Sequence, residues 1–169
     1  LGLDVTRLAV GGDSAGATMA SVLAIEAAQA AHAWPKISLQ LLCYPSTDAS
    51  RKTVSSDLYD EGYLLETATL DWFYDQYQRT PADRLDWRFS PLLCANPQGA
   101  APAFIGLAHY DPLHDEGLAY AEHLRQAGVA VTLRLYNGTH DVLRMGAVMP
   151  GVEAIYEELA DNLAQAFAG

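Results

Sequence analysis

Cysteine is scarce in this chain: Cys43 and Cys94 are the only two among 169 residues. Two cysteines make no disulfide framework, and ligand pairs at short spacing, which a zinc site needs, are missing. Each lies beside leucines, in Leu41-Leu42-Cys43 and Leu92-Leu93-Cys94, so both are expected as buried free thiols. Basic residues are also few. Ten Lys and Arg stand against 21 Asp and Glu, a net charge of −11. That balance disfavours nucleic acid and anionic membrane surfaces as partners. No apolar run approaches the roughly 20 residues that a membrane span needs, and no signal-like segment opens the chain. A cytoplasmic location is the corresponding expectation. Internal repeats and low-complexity tracts are absent as well.

What is present is a globular composition, 50% apolar, long enough for one domain with a sizeable core. Short apolar runs alternate with helical patterns. Strands are expected at Arg7–Gly11, Ile37–Cys43, Ala103–Ala108 and Val129–Leu135, the last from its alternating Val129, Val131, Leu133 and Leu135. Helices are expected from Ala15 to His32, Thr67 to Gln78, Asp115 to Gln126 and Gly151 to Phe167. The segments Asp48–Asp60 and Thr80–Ala101 read as irregular, and Asn137-Gly138-Thr139 reads as a turn. Strands alternating with helices predict an α/β fold: a mostly parallel sheet with helices on both faces.

In such sheets reactive groups gather at the carboxyl ends of the strands. Gly12-Asp13-Ser14-Ala15-Gly16 reads G-x-S-x-G between a strand and a helix, the layout of a nucleophile elbow. Small residues leave room for so tight a turn, and glycine tolerates strained dihedrals. The competing glycine-rich reading, a dinucleotide site, fails because Gly11, Gly12 and Gly16 do not fit G-x-G-x-x-G. A serine hydroxyl needs a base to become a nucleophile. His140, expected after a four-residue loop beyond the last strand, is the candidate base, with His109 as its rival at another strand end. His32, His114 and His123 fall in or beside helices, and His32 and His123 are expected in solvent. Asp111 is the candidate acid to orient the imidazole. Asp115 and Glu116 are expected to serve the start of their helix instead, and Asp141 lies too close in sequence to face the ring of His140. The Ala15 backbone N–H is the candidate oxyanion donor. The order Ser…Asp…His is that of the α/β-hydrolases.

At these residues the chain resembles the C-terminal part of the hormone-sensitive-lipase-like (family IV) esterases of the α/β-hydrolase fold. Gly11-Gly12-Asp13-Ser14-Ala15-Gly16 is similar to the family's elbow, and Tyr44-Pro45-Ser46-Thr47-Asp48 to its Y-P-x-x-D stretch. Glu61-Gly62-Tyr63-Leu64-Leu65 and Ser90-Pro91-Leu92 resemble its connecting region. Asp111-Pro112-Leu113-His114-Asp115-Glu116-Gly117 matches the D-P-L-x-D-E-G block around its catalytic acid. The resemblance implies hydrolysis of a small carboxylic ester of short or medium acyl chain. It implies no metal and no organic cofactor, and it gives Ser14, Asp111 and His140 the roles above. The alternatives are a catalytically incompetent fragment and a hydrolase-fold protein that binds a ligand without chemistry.

Two stretches depart from the family. His140-Asp141-Val142 stands where H-G-F is usual, and Ala17 where glycine is usual. The family's H-G-G-G oxyanion loop, its N-terminal cap and part of its sheet precede the elbow and have no counterpart here. Residues 1–169 are thus expected to form a single partial α/β-hydrolase domain. Its first strand would carry a bare apolar edge, which implies homodimerisation or association with the missing N-terminal portion.

Overall fold

The computed structural model describes residues 2, 4–30 and 34–168. Four strands, β1 (Leu8–Asp13), β2 (Ile37–Cys43), β3 (Ala103–Tyr110) and β4 (Val131–Thr139), form one sheet. They lie in the order β1-β2-β3-β4 and every pair is parallel. Five helices accompany them: α1 (Ala15–Gln29), α2 (Val54–Leu58), α3 (Thr67–Tyr77), α4 (His114–Gln126) and α5 (Val152–Ala168). The expected extension of α1 to His32 lies outside the described residues.

Parallel strands buried on both faces use both sets of alternating side chains. Leu42, Ile105 and Leu107 point to one face, where they meet Ala17, Ala20 and Ile25 of α1 and Tyr120, Ala121 and Leu124 of α4. Cys43 and Ala108, one residue along, point to the other and meet Ile155 of α5. Helices therefore do cover both faces. Beside Ile25, the alanines of α1 line this contact: Ala17, Ala20 and Ala24 are buried while Met19 and Leu23 are exposed. Small side chains let the helix axis approach the strands closely, which matters at the elbow. Cys43 and Cys94 are buried and free, as expected.

Several local expectations need correction. The stretch from Asp48 to Asp60 is not wholly irregular, because Thr53 accepts from the Ser56 N–H and caps the short helix α2. Two 3-10 turns, Pro81–Leu85 and Pro91–Leu93, order the segment before β3, each with proline in its first turn. Asn137-Gly138-Thr139 is no turn. It is the end of β4, and the register with β3 slips between Ala108 and Tyr110. Glycine inside a strand often marks such a bulge. Here it also answers a close approach, since a Cβ on Gly138 would lie 2.7 Å from Cγ2 of Val142.

The last strand shows how unequal its alternating positions are. Leu124 of α4 packs fully buried beneath it, whereas Leu135 is 52% exposed. Leu124→Ala is expected to lower the unfolding free energy by about 2–5 kcal/mol, and Leu135→Ala by no more than ~1 kcal/mol. Urea denaturation of the two variants checks the contrast; equal losses would refute this assignment of the core.

Candidate active site

A single residue, Ser14, separates β1 from α1. Its backbone sits at φ 51, ψ −122, a conformation few L-residues adopt, at a cost on the order of 1–3 kcal/mol. The Ser14 N–H donates to the Cys43 carbonyl at 2.9 Å, and its own carbonyl accepts from the Thr18 N–H at 3.1 Å. The turn is thus tied to the next strand and to the first helical turn. The strain rests on the serine and not on its glycines, which corrects the expected role of glycine as the strained residue. Gly12 is needed for space: a Cβ there would lie 2.4 Å from the Gly16 carbonyl carbon. Gly16 meets nothing within 4 Å.

His140 follows β4 directly, with no intervening four-residue loop, because the strand runs to Thr139. Its Nε2 stands 2.9 Å from Ser14 Oγ, and its Nδ1 stands 2.8 Å from Asp111 Oδ2. A carboxylate only accepts, so the ring proton lies on Nδ1 and the Nε2 lone pair faces the serine hydroxyl. Asp111 is fully buried, and its other oxygen accepts from the Leu113 N–H at 2.9 Å. Both carboxylate oxygens are therefore engaged, as a buried charge requires. Tyr44 packs edge-on against His140, with 4.8 Å between ring centroids. It occupies a left-handed backbone position (φ 38), and burial raises its hydroxyl above the usual phenol range.

The structure separates the rivals. His109 is exposed beside His114 and Tyr110, away from this contact chain. His114 opens α4 and holds the Ala108 carbonyl through Nδ1. His123 is not simply solvated: its Nε2 meets the Cys94 carbonyl at 2.7 Å. Asp141 adopts a left-handed turn, and its carboxylate lies 3.9 Å from Arg144, which also donates to Asp13 Oδ2 at 3.1 Å. This exposed pairing joins the elbow to the histidine turn. Asp115 and Glu116 do lie in the first turn of α4, but neither caps it. Asp115 accepts from the Ser55 N–H, and Glu116 accepts from Thr47 and Asp48. Sequence reasoning missed these tertiary bonds.

Ala15, the expected oxyanion donor, is exposed at the first position of α1, where helix N–H groups have no partner within the helix. Beside Ser14 and Ala15 opens a cavity of about 350 Å³, walled by Thr18, Ser46, Leu70, Phe73, Tyr74 and Phe89. Two aromatic residues of α3 that repeat on one face in the sequence divide here. Tyr74 is buried, while Phe73 is half exposed toward the opening. Among the described residues, no group of three or more His, Cys, Asp or Glu could hold a metal ion. No helix among them is long and apolar enough to cross a membrane.

Comparison with known proteins identifies the family. The family model described as alpha/beta hydrolase fold matches residues 1–143. The chain belongs to this family, the hormone-sensitive-lipase-like α/β hydrolases. It is 51% identical over 169 residues to ethyl acetate hydrolase of Pseudomonas putida, covering 96% of this chain and 52% of that protein. It is 43% identical to the carboxylic ester hydrolase LipN of Mycobacterium tuberculosis, covering 93% and 43% respectively. Among solved structures, the Pyrobaculum calidifontis esterase superposes with a TM-score of 0.90 at 32% identity, over the whole of this chain and 56% of its own. The chain spans about half the length of the curated relatives it matches.

The elbow's dependence on Gly12 is open to test. Gly12→Ala is expected to cost about 1–3 kcal/mol of unfolding free energy, because rigid backbone must move to admit the methyl group. Denaturation curves measure it, and an unchanged midpoint would show that the elbow has room to spare.

Proposed function

We propose that this chain carries the catalytic centre of a serine carboxylic-ester hydrolase. The supporting observation is the continuous contact from Ser14 Oγ through the His140 ring to Asp111 at 2.9 and 2.8 Å. The family and its esterase relatives support the same reaction class. Ser14 Oγ attacks the ester carbonyl while His140 Nε2 takes its proton. The alcohol leaves with that proton, and an acyl-serine remains. Water, deprotonated by the same nitrogen, then releases the acid and restores the serine. Asp111 holds the imidazole with Nδ1 protonated and stabilises the imidazolium.

Negative charge on the carbonyl oxygen falls near the start of α1, where the Ala15 N–H donates along the favourable end of the helix dipole. The resemblance assigns a further donor to the glycine-rich loop that precedes the elbow in the family. The cavity beside Ser14, about 350 Å³ with apolar walls at Leu70, Phe73 and Phe89, suits a small ester of short or medium acyl chain. No metal ion or organic cofactor takes part in these steps.

The complete protein is expected to hydrolyse p-nitrophenyl acetate and to take a fluorophosphonate label on Ser14. Asp111→Asn should lower kcat about 10,000-fold by stabilising the wrong histidine tautomer, and Ser14→Ala should lower it at least as far. Turnover that survives Ser14→Ala would sink the proposal.

A further inference from the structure

Glu116 is the one fully buried acidic side chain besides Asp111 among the described residues, and the reaction above does not use it. It sits on the first turn of α4, five residues beyond Asp111. Its Oε1 accepts from the Thr47 N–H at 2.6 Å and from the Asp48 N–H at 3.2 Å. The Thr47 hydroxyl donates back to the Glu116 carbonyl at 2.9 Å. One residue thus binds the loop after β2 at three points. The preceding loop residue, Ser46, reaches the elbow. Its carbonyl accepts from the Thr18 hydroxyl at 2.6 Å, and Thr18 N–H in turn donates to the Ser14 carbonyl at 3.1 Å. The Ser46 hydroxyl also pairs with the Tyr74 hydroxyl at 2.7 Å. Ser46, Thr18 and Tyr74 are all walls of the cavity that opens on Ser14.

We propose that Glu116 is a positioning residue of the esterase site: its carboxyl group holds the Ser46–Asp48 loop against α1 and so sets the wall that faces Ser14. The proposal rests on the esterase reading and deepens it. A simple ion-pair strut is excluded by the surroundings, since no cation pairs with Glu116 among the described residues. Its Oε2 is buried without any hydrogen-bond partner. An ionised carboxylate would leave that oxygen's charge uncompensated in the interior, whereas the neutral acid still offers Oε1 to both loop N–H groups.

The electrostatics agree with the geometry. Burial pushes the Glu116 carboxyl up to about 8. The two loop N–H groups pull it back in part, and Asp48 and Asp111 push it further up. The Tyr74 phenol of α3 is raised by burial first and by Glu116 second. Asp115, on the same helical turn, is occupied with the Ser55 N–H. Glu116 is therefore neutral near pH 7 and ionises as the pH rises past about 8. Charge then appears in the interior near Asp48 and Asp111, where its desolvation and their repulsion together outweigh the stronger bonds from the two loop N–H groups, so the closed loop is loosened. The neutral acid holds the site at lower pH, so the loss of activity lies on the alkaline side.

The test compares E116Q and E116L with the unvaried complete protein in p-nitrophenyl acetate hydrolysis from pH 6 to 9, with buffer hydrolysis subtracted. The unvaried protein is expected to lose kcat above about pH 8. E116Q keeps an oxygen for both loop N–H groups and cannot ionise. It should restore kcat to within about threefold of the unvaried value at pH 7 and show no such alkaline fall. E116L should lose at least about tenfold in kcat with KM nearly unchanged, as expected when reacting groups are misplaced rather than binding lost. An alkaline limb that persists in E116Q overturns the proposal, and so does an E116L enzyme that is folded by circular dichroism and fully active. If E116L does not fold, the E116Q pH profile alone decides. Fluorophosphonate labelling of the unvaried protein stands apart: absence of a label on Ser14 overturns the esterase reading itself, whereas labelling with a flat pH profile overturns only the role of Glu116.

Discussion

The geometry of the site depends on one strained residue. Ser14 must take a positive φ so that its hydroxyl projects from the end of β1 while the chain turns at once into α1. Such a conformation persists only where the surroundings over-determine it. Here they do so from three directions. The Ser14 N–H is held by β2 through Cys43, its carbonyl is held by Thr18, and Gly12 lets the helix start lie directly on the strand. The alanine-rich face of α1 extends that close contact along the sheet. The elbow is therefore a property of the β1–α1–β2 unit as a whole. A G-x-S-x-G segment in another setting would lack these holds.

A second constraint is the burial of charge at the same end of the sheet. Asp111 lies out of water, and its acceptance of Leu113 N–H and the His140 ring offsets its desolvation. Such a pair contributes little net stability, because its attraction is set against the loss of hydration. What it provides is direction: with Nδ1 committed to Asp111, Nε2 has one neighbour to act on. Tyr44 limits how far the ring can tilt. The bulge at Ala108–Tyr110 belongs to the same construction. An extra residue in β4 changes the phase of its end relative to β3 and places His140 immediately beyond the strand.

The sequence makes the skeleton of this arrangement legible. Alternation and apolar runs identify all four strands, because a parallel sheet covered on both faces needs them. The ordered appearance of Ser14, Asp111 and His140 after three different strands follows from where such sheets place strand ends. What escapes is long-range pairing without local pattern. Gly138 reads as a turn residue because glycine signals turns, bulges and close approaches alike; only the neighbouring strand and Val142 distinguish them. Asp115 and Glu116 stand where helix starts attract acids, and nothing local shows that their partners lie about 60 residues or more earlier in the chain, at Ser55, Thr47 and Asp48. His123, read as solvated, is held by a carbonyl 29 residues away.

The hidden bonds of Asp115 and Glu116 share a location. The loop after β2 is an irregular connection, so its backbone groups lack the partners that strands and helix interiors provide. Burying them at the end of the sheet obliges side chains to supply the bonds. Glu116, Asp115 and Ser90 do so, each accepting from a backbone N–H far away in the sequence, at Thr47, Ser55 and Ala49 respectively. The same carboxyl ends that place reactive groups on loops thus create a demand for buried polar anchors. A loop anchored in this way can be irregular, as a functional site requires, and still hold a reacting geometry. The buried acids at this end of the molecule divide accordingly: Asp111 directs the imidazole, while Glu116 steadies the wall opposite the serine.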